Sequence, residues 1–186
     1  TEDIIPNLNH DVEQNRIIHL FKVISPHMSL PDPEYIHRIE GYDISNIQGK
    51  YATASMVVFE NGKKVTSEYR HFKIKTLKEP NDPGMMKEVL MRRFSRSDWT
   101  EPQLVIIDGG KTQLKAALSV IPSHIAVVSV VKHPDRLLIP LTDKHDFVYI
   151  DLDIKEPHTI LLQQVRDESH RFANRLRKTL HLKAYS

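Results

Sequence analysis

QLVIIDGGKTQL, residues 103–114, carries an apolar, β-branched run straight into one aspartate, two glycines and a segment with helical spacing. An apolar run with polar flanks predicts a buried strand. Leu114, Ala117, Leu118 and Ile121 recur at helical spacing, so a helix is expected to follow. A carboxylate at the carboxyl end of a buried parallel strand stands at the crevice where open α/β sheets place ligands. Burying such a charge alone is costly, so Asp108 must be exposed, paired or engaged by a cation. Gly109 and Gly110 then let a phosphate or a metal-bound water approach the backbone at a helix N-terminus. A plainer reading is a tight strand-to-helix turn in which Asp108 caps the helix, and the motif alone leaves both open.

Upstream, IHRIEGYDIS predicts a strand with Ile36, Arg38, Glu40 and Tyr42 on one parity and His37, Ile39, Gly41 and Asp43 on the other. YATASMVVFE suits a central strand. Asn61-Gly62 readily gives the positive φ pair of a tight hairpin, and KVTSEYRHFKIK returns as a third antiparallel strand. A helix over MMKEVLMRRF follows NDPG, with Asp82 as its cap and Pro83 at its first position. After residue 114, IAVVSVV is a second buried strand, and RLLIPLTD with FVYIDLD can pair as a small extra hairpin. The last element is a long helix whose stripe Leu161, Val165, Ser169, Phe172, Leu176 faces inward. Residues 1–36 form a lead-in: a helix over about 9–24, then a stretch broken by three prolines.

The order is β-β-β-α-β-α-β-(hairpin)-α, and right-handed crossovers place the fourth strand beside the first. This predicts an α/β, ribonuclease H-like arrangement: a mixed five-stranded sheet with helices on both faces, over residues 37–186. Asp43 and Asp108 thereby become neighbours. Two such carboxylates repel unless something positive lies between them, and hard divalent cations are commonly held by one or two carboxylates. His170 lies one residue off the inward stripe of the last helix and can ligate a metal or move protons, with Asp167 or Glu168 orienting its ring. The alternative is a boundary histidine paired with Asp167. Parity sends Glu40 to the opposite face from Asp43, as an ion-pair candidate for Arg38 or Arg70.

Bulk properties narrow the classes. Hydrophobic residues at 40% and charged residues at 27% describe a globular chain, and no apolar run is long enough to span a bilayer, so no membrane partner is expected. Zero cysteines exclude disulfides, iron–sulfur clusters and thiolate zinc sites, and fit a cytoplasmic location. An opening Thr suggests a piece of a longer protein. The net charge of +2 hides a segregation: residues 63–78 hold six Lys/Arg against one acid and residues 166–186 six against two, balanced by acidic residues 1–36 and 143–156. Such polarity suits a phosphate-backbone binder. Lys111, Arg92, Arg93, Arg96, Arg171 and Arg175 are the candidate phosphate contacts.

IEGYDISNIQG, SMVVFENGKKVTSEYRHFKIKT, LVIIDGGKTQL and LLQQVRDESHRFA, in that order and spacing, resemble the C-terminal endonuclease domain of the UvrC family, over about residues 37–176. UvrC is the C subunit of the bacterial nucleotide-excision-repair excinuclease. The resemblance implies a ribonuclease H-like domain that cuts DNA on the 5′ side of a lesion after the excinuclease B subunit has loaded. It implies Mg²⁺ or Mn²⁺ and a triad of Asp43, Asp108 and His170, the three residues selected above. The family's first nuclease domain, cysteine-rich region, B-subunit-binding segment and helix-hairpin-helix pair have no counterpart here, so weak DNA binding by this chain alone is expected. VKHPDRLLIPLTDKHDFVYIDLDIKEPH matches the family only loosely. Two other classes compete. An actin-like, ATP-dependent phosphotransferase would need a DxGxT-like loop that DISNIQG lacks, and a catalytically silent DNA-binding module would need only the basic segments.

Overall fold

The computed structural model describes residues 8–47, 51–75, 82–133, 135–143 and 145–184. Lys78 of the basic run, Asn81 of NDPG, and the Gln48–Gly49 end of the first family-like block lie outside the described residues. Helix α1 (Leu8–Ile24) leads into strands β1 (Arg38–Ile47) and β2 (Tyr51–Glu60), then β3 (Lys63–Lys64) and β4 (Arg70–Lys73). Helix α2 (Asp82–Phe94), strand β5 (Leu104–Asp108), helix α3 (Lys111–Leu118) and strand β6 (Ala126–Val131) follow. The chain ends with β7 (Arg136–Pro140), β8 (Phe147–Asp151) and the long α4 (Pro157–Ala184). None of the described helices is long and apolar enough to cross a membrane.

All strands join one eight-stranded mixed sheet in the order β3-β2-β1-β5-β6-β7-β8, with β4 also on β2. At its centre β1, β5 and β6 run parallel; every other pairing is antiparallel. The expected crossover is present, because β5 lies beside β1. The fold is the ribonuclease H-like one read from the sequence, with two differences. The hairpin is not an appendage: β7 pairs with β6 and carries the sheet onward. Its Leu137, Leu138 and Ile139 are buried in succession, which requires cover on both faces, and only a position inside a sheet gives that.

The second difference is the third strand of the meander, which is broken. The turn itself forms as expected, with positive φ at Asn61 and Gly62. A 3-10 turn at Thr66–Glu68 then separates β3 from β4, and the pairing with β2 slips by three residues across it. The interruption has a use. It carries the Glu68 carboxylate to the Arg38 guanidinium, which donates at 2.7 Å, and places the Tyr69 hydroxyl to donate to Glu168 at 3.0 Å.

Each face of the sheet has its own helices. The even-numbered side chains of β1 meet α2: Arg93 donates to both Glu40 oxygens at 2.8 and 2.7 Å, and Tyr42 donates to Glu40 at 2.6 Å. Arg38 closes the network from the strand itself, at 3.0 Å, as the sequence expectation for Glu40 allowed. Arg70 takes no part, donating instead to the Ser67 and Tyr69 carbonyls. The odd-numbered face meets α4. Helix α1 packs beside α4 and contributes Ile17, Leu20 and Ile24 to the same hydrophobic core as the strands.

Candidate active site

Parallel register brings the two aspartates together. Tyr42 lies opposite Ile107 on adjacent strands, so the next residues, Asp43 and Asp108, stand side by side and share a face. That is the α4 face. Gly41, two residues before Asp43 on the same parity, lets α4 come close: a Cβ there would lie 2.5 Å from Val165 Cγ1 and 3.1 Å from Ser169 Oγ. The Ser55 hydroxyl donates to the Ser169 carbonyl at 2.9 Å and fixes the helix's position along the strands. His170, the next residue, is thereby delivered over the strand ends.

There it bridges the pair. His170 Nδ1 lies 2.8 Å from Asp43 Oδ2 and Nε2 lies 2.8 Å from Asp108 Oδ2. Both ring nitrogens face carboxylate oxygens, which only accept, so both must donate and the ring is the imidazolium. Hydrogen bonds to Asp108 and then Asp43 outweigh desolvation and push the His170 pKa up to about 10. Asp43 is raised above the usual carboxylate range, chiefly by burial, with the Asp108 charge adding to it and the ring pulling the other way. The ring is 38% exposed, whereas the two carboxyl side chains are 10% and 16% exposed, so solvent reaches the site from the histidine's side.

Asp108 does not cap α3: the cap position is Gly110, whose backbone N–H donates to the Gln113 side chain at 3.1 Å. A Cβ on Gly109 would lie 2.9 Å from Gln113 Cγ, so the bare backbone there makes room for that self-capping side chain. Asp167 does not orient His170; it is well exposed and lies 3.5 Å from Arg166. Glu168 is also occupied, by Arg171, Tyr69 and Lys64. The imidazole is oriented by the strand aspartates themselves.

Lys132 was missed at the sequence level. Its ammonium comes within 3.4 Å of His170 Nε2, and its charge favours the ionised form of Asp43. Since that ring nitrogen is already a donor, the approach is one of two cations drawn to the same carboxylates rather than a hydrogen bond. A signal existed: Val130 pairs with Asp108 on β6, and Lys132, two residues on, continues the same parity past the strand end.

Of the candidate phosphate contacts, Arg93 is corrected. It is 1% exposed and its guanidinium is given to Glu40 and the Thr100 carbonyl, so it serves the core. Arg92 donates to Glu88 and to the Lys73 carbonyl, and Arg96 pairs with Asp98, both on the α2 side of the sheet, opposite the site. Arg171 forks onto Glu168. Arg175 is exposed one turn further along α4, near His71. Lys111 is exposed at the first position of α3 beside the glycines, with its ammonium 5.2 Å from the centre of the Phe147 ring.

The donor set fits a divalent cation. One ligand atom from each of Asp43, Asp108 and His170 lies within 4.8 Å of the others, and two of the three are hard carboxylate oxygens. The imidazolium seated between the carboxylates also shows that this gap accommodates positive charge.

An antiparallel meander running into parallel strands, with two carboxylates on adjacent parallel strand ends and a helix crossing above them, defines a ribonuclease H-like fold. The chain belongs to the UvrC family: the UvrC RNase H endonuclease domain matches residues 28–174. It is 45% identical over 158 residues to a UvrABC system protein C of Dehalococcoides mccartyi, covering 78% of this chain and 25% of the relative. To the UvrABC system protein C of Methanosphaera stadtmanae it is 40% identical, covering 96% of this chain and 30% of the relative. The chain therefore spans only about a quarter to a third of the curated relatives it matches. Among solved structures, a Ciona intestinalis endonuclease V variant, in complex with a 23mer DNA containing an inosine followed by a ribo-adenosine, matches with a TM-score of 0.51. At 14% identity, over 97% of this chain and 99% of that one, this is a likeness of fold.

Proposed function

We propose that this domain is a metal-dependent endodeoxyribonuclease that makes the 5′ incision beside a lesion in nucleotide excision repair. It would act on double-stranded DNA together with the excinuclease B subunit, through parts of the longer protein. The observation that carries the reading is the His170 ring held at 2.8 Å by both strand aspartates, in a chain of the UvrC endonuclease family.

Asp43, Asp108 and His170 would hold Mg²⁺ or Mn²⁺, which supplies Lewis acidity toward a phosphate oxygen and lowers the pKa of a water. Asp43 and Asp108 provide the negative charge, and β1 and β5 fix its position before any ligand arrives, so little reorganisation is needed. Both His170 nitrogens donate to the carboxylates, so the ring would release one proton to offer a nitrogen to the cation and would keep the other N–H as its exchangeable proton. Lys132 puts positive charge beside the carboxylates for the phosphodiester, and Lys111 adds an exposed cation at the start of α3, whereas the Gly109 and Gly110 N–H groups are already taken by Val130 and Gln113. Arg175 and Arg171 extend that charge along α4, while Arg92 and Arg96 would reach only DNA that wraps to the opposite face.

The test is incision of a lesion-bearing duplex by the full-length protein within the complete excinuclease. Asp43→Asn and Asp108→Asn should each lower the 5′ nick at least about a hundredfold, since cation-borne charge stabilisation is worth several kcal/mol. His170→Ala should lose about 10²–10⁴-fold. An aspartate variant that folds and nicks at the wild-type rate would overturn the assignment. So would an active protein that needs no divalent cation, or one that hydrolyses ATP instead.

A further inference from the structure

Away from the aspartates, a second group of metal-ligating side chains gathers where α1 meets the start of α4. His19 comes from the middle of α1, Glu156 is the residue just before α4, and His158 is the second residue of that helix. One ligand atom from each lies within 4.8 Å of the other two. The three are graded in burial: His158 is 7% exposed, His19 is half-buried and Glu156 is exposed, so the group runs from the interior out to solvent at the glutamate.

A second observation sets this cluster apart from a chance meeting of surface residues. His158 Nδ1 is fully buried and has no hydrogen-bond partner among the described residues. A buried ring nitrogen left in that condition is unfavourable, and native structures rarely keep one without a partner from outside the chain. The backbone is also set in advance, because the Glu156 carbonyl accepts from the Thr159 and Ile160 N–H groups at 3.1 and 3.4 Å and so fixes the turn that presents both α4 donors.

We infer that His19, Glu156 and His158 form a second metal site that takes a borderline cation of the Zn²⁺ kind and staples α1 to the start of α4. The chemistry separates it from the aspartate pair. Two imidazoles and one carboxylate suit Zn²⁺ and leave a fourth position for water, whereas a set dominated by carboxylate oxygens suits Mg²⁺ and Mn²⁺. The carboxylate is needed for a further reason: the N-terminus of α4 carries partial positive charge that opposes a cation, and Glu156 at that terminus offsets it. Closure of the three donors around one ion requires shifts of only an ångström or so from their present spacing. The ion would bind the folded form alone, since His19 and His158 are far apart in the chain. It would therefore hold α1, whose Ile17, Leu20 and Ile24 already sit in the core, against the nuclease sheet.

The experiment begins with the Asp43→Asn/Asp108→Asn double variant, in which the first site is disabled. Titrated with Zn²⁺, it should still take up one ion per chain, with a rise in melting temperature that EDTA reverses and that Mg²⁺ does not reproduce. Co²⁺ in place of Zn²⁺ should give the visible absorption of a four-coordinate site. His19→Ala or Glu156→Gln, added to the double variant, should weaken Zn²⁺ binding by more than about tenfold, the loss that even an outer-shell partner can produce. Both positions are at least partly exposed, so the metal-free melting temperature serves as the control for folding where the buried His158 would not. Failure of the double variant to bind Zn²⁺, or binding that survives both added substitutions unchanged, would overturn the site.

Discussion

At His170 two opposing effects meet on one ring. Partial burial disfavours the charged imidazolium, and two carboxylate partners favour it; the partners win by enough to hold the pKa near 10. Arg93 presents the same contest deeper in the protein, where a guanidinium that the sequence suggested for DNA is instead locked onto Glu40. Arg93→Ala should therefore act on stability rather than on DNA binding. It leaves the Glu40 charge buried with less compensation, a change that costs about 3–5 kcal/mol in comparable pairs. Arg96→Ala, at an exposed pair with Asp98, should leave the midpoint of urea unfolding essentially unchanged, whereas Arg93→Ala should lower it clearly. Lys132→Ala tests the residue beside the triad. The expected result is weaker DNA binding with a salt dependence shallower by about 1 in logarithmic slope, at an unchanged melting temperature. An unaltered slope would remove Lys132 from the phosphate contacts.

At the scale of elements, the position of α4 over β1 decides whether the triad exists. Gly41 sets that distance, because any side chain there enters the space of Val165. Gly41→Ala should destabilise by about 1–3 kcal/mol, as overpacking does, and should also lower incision by moving His170 off the strand ends. Val165→Ala removes the clashing methyls, so adding it should restore part of the nicking rate lost by Gly41→Ala; a double variant no better than the single would refute this role for the close crossing. The next turn of α4 is tied to the broken third strand by Glu168. Hydrogen bonds from Arg171 and Tyr69, with the Lys64 charge, hold its carboxyl down at about 2, against the cost of burial. A carboxyl held below its unfolded value stabilises the fold at pH well above 4.5. That contribution is lost as pH falls from about 4.5 toward 2. Thermal melts should show the loss across this window in the parent and a flatter acid limb in Glu168→Gln.

Over the whole molecule, charge and sheet are arranged on one plan. The two basic segments, separated by some ninety residues in the chain, are neighbours in space: Lys64 reaches Glu168 at 3.5 Å, and the His71 ring stacks on Phe172 with centroids 3.8 Å apart. The acidic hairpin forms the far edge, where Asp146, Asp151 and Asp153 lie on or beside β8, a strand that would otherwise offer free backbone groups to another sheet. Charged edges discourage such pairing, which accounts for the acidic segment here. Divalent cation should stabilise the whole fold by mass action. Mn²⁺ at a hundred times its dissociation constant is expected to add about 2.7 kcal/mol, read as a higher melting temperature. The Asp43→Asn/Asp108→Asn variant should show no such rise with Mn²⁺ or Mg²⁺.

Local patterns in the sequence were enough for the helices, the Asn61-Gly62 turn, the strand that ends in Asp108 and the parity that separates Glu40 from Asp43. Each of these depends on neighbours within a few residues, where backbone sterics and hydrophobic period act directly. The handed crossover was legible too, since it follows from the order of elements, and with it came the pairing of Asp43 with Asp108. Other features depended on contacts between residues far apart in sequence. The third strand breaks because Arg38 and Glu168 need partners, β7 joins the sheet because its apolar run needs cover on both sides, and Arg93 turns inward because Glu40 is buried beneath it. The histidine's partners belong to the same class. Sequence proximity favoured Asp167, but a helix side chain three residues back points along its own surface, while the bare backbone at Gly41 lets α4 descend until His170 meets the strand carboxylates instead.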